Sequence, residues 1–203
     1  MDLMAARRRL MQMQELPSAY RRVEYLESNG TQYINTTIAP KMNYTRWEFS
    51  VRFTDISGTQ LIGAGYVNRF VLRLTENKLG ASVGDNYLSF DINADTVTTY
   101  NVVLQTGESA FAEVNGVKLT DWRITGFSAL SIALFARHQS NSGTGHDYYC
   151  KCRIFNSKIY ESGELVQNLI PCVRKADSKP GMYDTVSKTF YTNAGTGEFI
   201  IPS

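Results

Sequence analysis

The sequence predicts an all-β protein: an antiparallel sandwich of two sheets, preceded by a short N-terminal α-helix. Three observations predict it. Apolar residues recur with period two through most of the chain after Tyr20, turn signals interrupt these runs at close spacing, and no helix-length periodic run follows residue 16. The 203 residues are ordinary for a single sandwich. No composition shift divides residues 17–203, which are expected to form one domain. At 43% hydrophobic and 20% charged the chain is of globular type, which excludes a disordered or collagen-like protein. No run of eighteen apolar residues exists, so no helical membrane span is expected.

Residues 1–16 read as the helix. Leu3, Ala6, Leu10 and Met13 follow the 3-4-3 spacing of one apolar stripe, and Arg7, Arg8 and Arg9 fall off it. Pro17 stops the helix, because proline lacks an N–H and clashes with the preceding turn. Two turns of stripe do not hold a helix alone in water, so this segment is expected to attach: to its own domain, to a second copy in a homo-oligomer, or to another protein. The arginines would suit the start of a signal peptide, but Leu10–Glu15 is too polar for its apolar part, so no secretion signal is expected. Five arginines lie in residues 1–22, and the remaining body is close to neutral. That balance argues against a nucleic-acid partner, which needs a basic face.

From there the strands follow in order. In Thr45–Thr54, Trp47, Phe49, Val51 and Phe53 alternate with Arg46, Glu48, Ser50 and Arg52, a strand with one dry and one wet face. Phe70, Leu72 and Leu74 alternate with Arg69 and Arg73; Leu88, Phe90 and Ile92 with Tyr87, Ser89 and Asp91; Tyr100, Val102 and Leu104 with Asn101 and Gln105. Leu130–Phe135 is apolar on both faces and reads as a central strand. Gly63-Ala64-Gly65 lacks the third glycine and following helix of a dinucleotide loop and reads as a strand where another backbone packs close. Near the end, a hairpin turning at Glu161-Ser162-Gly163 is expected to set Cys152 opposite Cys172. A three-residue loop gives this register, and so does a two-residue turn with a bulge near Phe155–Ser157, which the change of apolar phase from Ile154 to Ile159 favours. Cys150, Cys152 and Cys172 are then packed free thiols or, for the facing pair, a cross-strand disulfide; their spacing is not that of a zinc site.

Catalytic constellations are thin. The only two histidines are His138 and His146, and no Gly-x-Ser-x-Gly or His-Glu-x-x-His occurs. Retaining glycosidases need two carboxylates about 5 Å apart, which a strand supplies by alternate acidic residues. Here the nearest acidic pairs, Glu24/Glu27 and Glu161/Glu164, are three apart and point to opposite faces of a strand. A non-enzymatic protein is expected. The long polar segment Arg137–Asp147 is either a solvated connection or a binding loop, in which Arg137, His138, Asn141, His146 and Asp147 hydrogen-bond sugar hydroxyls beside a stacking aromatic. Asp147 and Asn141 could join a calcium site, but one aspartate and an amide are too few ligands to specify one, so no cofactor is expected.

Several blocks in order carry a family likeness. Val23–Thr36, reading VEYLESNGTQYINT, resembles the opening of concanavalin A-like, LamG-type jelly-roll domains of gut bacteria and their phages. Ile159-Tyr160, Ile170-Pro171-Cys172, Gly181-Met182-Tyr183-Asp184 and Phe190–Gly197 are similar to their closing part. The resemblance spans about residues 18–199 and implies a two-sheet jelly roll, often an adhesion or carbohydrate-binding module. The N-terminal Ala-Ala-Arg-Arg-Arg-Leu-Met also resembles openings of phage structural proteins. The function expected from sequence is thus a non-catalytic virion protein. Its helix docks on other virion proteins of a head or tail while its jelly roll binds host or mucosal glycans. A capsid-cementing protein without a sugar ligand and a bacterial surface adhesion module are the alternatives.

Overall fold

The computed structural model describes residues 15–120, 124–127, 129–139 and 145–202. The helix expected over residues 1–16, with Leu3, Ala6, Arg7, Arg8, Arg9, Leu10 and Met13, falls outside the described residues, apart from its last two positions. Eighteen strands occur among the described residues: β1 (Tyr20–Arg22), β2 (Leu26–Asn29), β3 (Ile34–Asn35), β4 (Thr45–Phe53), β5 (Thr59–Ala64), β6 (Arg69–Thr75), β7 (Lys78–Gly84), β8 (Leu88–Asn93), β9 (Tyr100–Gln105), β10 (Phe111–Val114), β11 (Val117–Leu119), β12 (Ala133–Leu134), β13 (Arg137–His138), β14 (His146–Asp147), β15 (Lys151–Glu161), β16 (Glu164–Arg174), β17 (Lys179–Asp184) and β18 (Phe190–Thr192). They form two sheets. The larger runs β11-β10-β9-β4-β15-β16-β17-β18, with β1 on β16 and β2 on β15; the smaller runs β14-β13-β5-β6-β7-β8, with β12 joining β5 to β3.

The core lies between the sheets because each strand's apolar phase faces inward. From the larger sheet come Trp47, Phe49, Val51, Phe53, Tyr100, Val102 and Leu104; from the smaller come Ile62, Phe70, Leu72, Leu74, Ala81 and Val83, all buried. Trp47 stacks on Phe49 at 4.2 Å and meets Phe70 of the facing sheet at 6.1 Å. Its indole Nε1–H donates to the buried Ser157 Oγ at 2.9 Å, so the ring is dry without an orphaned donor. Burying each such aromatic contributes about 2–3 kcal/mol. The expected central strand Leu130–Phe135 is shorter than its apolar run: only Ala133–Leu134 pairs as a strand, although residues 132–136 are all fully buried. The close backbone approach expected at Gly63 is present. With φ at +135°, a Cβ there would overlap the Phe70 carbonyl oxygen.

The cysteine register differs from expectation. The turn is the two-residue one, Ser162 and Gly163 both taking positive φ (50° and 84°), as a tight hairpin requires. Phe155 does bulge, but against β4, and a second irregularity falls where Ile159 and Tyr160 meet β16. Beyond Ser157 and Leu169, β15 and β16 part. Strand β2 pairs with β15 and sets Ser28 opposite Cys152, while β1 pairs with β16 and sets Arg22 opposite Cys172. Two short strands from the start of the chain thus fill a fork that the local hairpin pattern cannot foresee. All three cysteines are buried free thiols. Burial raises Cys152 well above the usual thiol range and pushes Cys172 up to about 12.

The opening and closing blocks of the chain meet in space. Asn193 Oδ1 accepts from the Tyr33 N–H at 3.0 Å, the Thr31 hydroxyl donates to the Thr196 carbonyl at 3.0 Å, and Glu27 forms a backbone bridge with Ile200. These contacts close the sandwich and tie β3 to the end that carries the β13–β14 hairpin.

Candidate functional site

The hairpin β13–β14 holds four of the five residues expected to bind sugar; Asn141 lies outside the described residues. Arg137 pairs opposite Asp147, and His138 opposite His146. Successive pairs point to opposite faces of a sheet, so the set is divided rather than gathered into one loop. Arg137 Nε and Nη2 donate to the two carboxylate oxygens of Asp147 at 2.8 and 2.6 Å, and Nη2 also reaches Gln139 Oε1 at 2.6 Å. The imidazoles stack on each other at 4.6 Å, and His146 stacks on Tyr33 at 3.9 Å with its Nε2 at 2.7 Å from Asn35 Oδ1. His138 Nδ1 lies 3.1 Å from the Ser131 carbonyl. Burial, helped by His138 and opposed by Asp147, pushes His146 down to about 4, so its ring is neutral at physiological pH. Both imidazoles are taken up in seating the hairpin. Asp147 gives both oxygens to Arg137, and no cluster of three or more metal-ligating acidic, histidine or cysteine side chains occurs among the described residues.

The Arg137 face leads to a different site. On the outward side of the smaller sheet, Gly63, Val71 and Ser82 lie in one row across β5, β6 and β7, and Leu61, Arg73 and Gly80 in the next. Of these, Leu61, Val71 and Ser82 form the floor of a groove of about 210 Å³. Its rim is aromatic and cationic: Tyr66, Tyr87 and Tyr148 with Arg69, Arg73 and Arg137. Gly80 is required here, because a Cβ would overlap the Tyr87 ring that lies across it. Tyr66 and Tyr148 are 58% and 46% exposed, which leaves aromatic planes open to solvent. Arg137 lies near both rings, 5.6 Å from the centre of Tyr66 and 4.8 Å from that of Tyr148, and is itself buried. Cation–π contact and the bidentate carboxylate hold its guanidinium rigid. Tyr148 sits at φ +48°, a left-handed conformation uncommon for an aromatic residue and held here between two paired elements. At the floor, the buried Ser82 Oγ has no hydrogen-bond partner among the described residues.

Of the expected residues, then, only Arg137, with Asp147 behind it, belongs to the groove. Sequence reasoning missed Tyr66, Arg69, Arg73, Ser82, Tyr87 and Tyr148. One signal was present: Arg69 and Arg73 occupy the wet phase of an alternating strand two residues either side of Val71. Other depressions lack this composition. A cleft of about 290 Å³ on the larger sheet, around Glu48, Asn156 and Lys158, is lined by mixed charges. A broader one of about 620 Å³ at Met42–Tyr44 and Gly107–Ser109 is built from loops.

No protein-family model and no curated protein sequence matches the chain. Solved structures do. A Bacteroides ovatus protein described as a "putative carbohydrate binding protein" superposes with a TM-score of 0.61 at 14% identity, over 90% of this chain. This chain spans 60% of that protein's length. The heptameric SAP-like pentraxin of Limulus polyphemus superposes with a TM-score of 0.54 at 11% identity, over 92% of this chain and 96% of its own. Domains LG4-5 of the mouse laminin α1 chain give 0.48 at 18% identity, over 74% and 45% of the two chains. At these identities the first two similarities show the fold alone: an all-β jelly roll of two antiparallel sheets.

Proposed function

We propose that this jelly roll is a non-catalytic carbohydrate-binding module whose ligand lies in the groove on the outward face of its smaller sheet. One observation carries the reading: two exposed tyrosine planes, borne on connections between strands, flank a groove whose floor of Leu61, Val71 and Ser82 lies on regular strands. A pyranose has an apolar face that stacks on such rings and hydroxyls that suit fixed guanidinium and hydroxyl donors. The Bacteroides ovatus protein, whose description names carbohydrate binding, supports the same reading at the level of the fold.

Titration against a panel of oligosaccharides tests it. Tyr66→Ala and Tyr148→Ala should each weaken the best ligand roughly tenfold, while Tyr66→Phe, which keeps the ring, stays near the parent affinity. Unchanged affinity in the Tyr66→Ala/Tyr148→Ala double variant would remove the groove from consideration. We further propose that the sandwich is carried on a virion through residues 1–16, a reading that rests on the Leu3/Ala6/Leu10/Met13 stripe and the resemblance of that segment alone. Deleting residues 1–16 should leave a folded protein that no longer copurifies with particles; undiminished particle association would count against it.

A further inference from the structure

Resting on the carbohydrate reading, the charges of the groove go further and specify the class of sugar. Arg69 and Arg73 lie on the outward phase of β6, four residues and therefore about 13 Å apart, with Val71 between them. Each is fixed at one end only. Arg69 Nε donates to the Tyr66 carbonyl at 2.7 Å, and Arg73 Nε donates to Thr75 Oγ1 at 2.7 Å while its guanidinium lies over the Tyr87 ring at 4.6 Å. Neither forms an ion pair with a carboxylate among the described residues, whereas Arg137 is neutralised by Asp147. Among the described residues, no acidic side chain lines the groove. A guanidinium held through Nε still presents its terminal N–H groups, in a fork that matches a carboxylate or sulfate. The unpartnered Ser82 hydroxyl lies between the two arginines, in the row of Val71.

We infer that the ligand is an acidic saccharide, a pyranose chain bearing carboxylate or sulfate groups that runs along β6 with its acids at Arg69 and Arg73 and its rings against Tyr66 and Tyr148. Such a ligand supplies the acidic partners that Arg69 and Arg73 do not have among the described residues.

The test compares matched polymers on the full chain: polygalacturonate against its fully methyl-esterified form, and dextran sulfate against dextran, each at low and high salt. We expect at least one acidic polymer to bind about tenfold tighter than its neutral partner, with the advantage shrinking as salt screens it. The first pair reports a carboxylate preference and the second a sulfate preference. The Arg69→Gln/Arg73→Gln variant should lose that advantage while keeping its thermal midpoint; Arg46→Gln on the other sheet should leave binding unchanged. Equal binding of acidic and neutral forms overturns the inference but leaves the carbohydrate reading standing. An acid preference that survives Arg69→Gln/Arg73→Gln also overturns it, because the charge would then be read elsewhere. If no polymer and no member of the oligosaccharide panel binds, both readings fall together.

Discussion

The two outward faces of this sandwich obey the same period-two pattern and end in opposite electrostatic states. On the larger sheet, polar side chains satisfy one another. Arg46 pairs with Glu48 at 2.6 Å, Arg153 with Glu27 at 2.6 Å, and Ser50 bridges Asn101 and Asn156. Arg52, without a carboxylate, donates twice to Thr99. On the smaller sheet, guanidiniums lie among tyrosines, and among the described residues only Arg137 has an acidic partner. Alternation thus decides that a face is polar. Cross-strand neighbours decide whether it is already satisfied, and a face that is satisfied has little left to offer a ligand.

The contrast can be broken at its structural base. Gly63 anchors the row that carries Val71 and Ser82, and no side chain fits between it and the Phe70 carbonyl at its positive φ. Gly63→Ala should cost about 3 kcal/mol and lower the thermal midpoint by roughly 6–12 °C. Calorimetry checks it, and a shift of only a degree or two would show that this backbone approach is soft. A smaller effect separates the two faces directly. Arg137 is almost fully buried, with Asp147 partly so, whereas Arg46 and Glu48 are each about a third exposed. Arg137→Met should therefore cost about 2–3 kcal/mol by stranding Asp147, and Arg46→Met less than 1 kcal/mol. Urea unfolding of the two variants measures the difference; equal costs would mean that the Arg137 pair is solvated and not a fixed part of the groove wall.

Much of the fold was legible because alternation is a local signal. The dry phases of β4, β6 and β9 could be read from Trp47–Phe53, Phe70–Leu74 and Tyr100–Leu104, and the bulge at Phe155 from a change of phase. Pairing was less legible. Cys152 and Cys172 look like partners in their hairpin, but strands from residues 20–29 intervene, and nothing local announces them. The candidate site was legible least of all. The polar density of Arg137–Asp147 suggested a binding loop, yet the described side chains there are mostly spent on one another and on Tyr33, Asn35 and Ser131. Density of polar groups does not reveal whether they are mutually satisfied. Tyr66, Tyr87 and Tyr148 come from three separate connections that only the strand order β14-β13-β5-β6-β7-β8 brings to one surface.

An amide NMR titration with the tightest saccharide from the binding panels tests most directly that the smaller sheet's outward face is the ligand surface. Shifts should concentrate on Val71, Gly80, Ser82 and Tyr148. Shifts centred instead on Ser50, Asn101 and Asn156, or on the His138–His146 stack, would place the ligand on another surface and contradict the assignment.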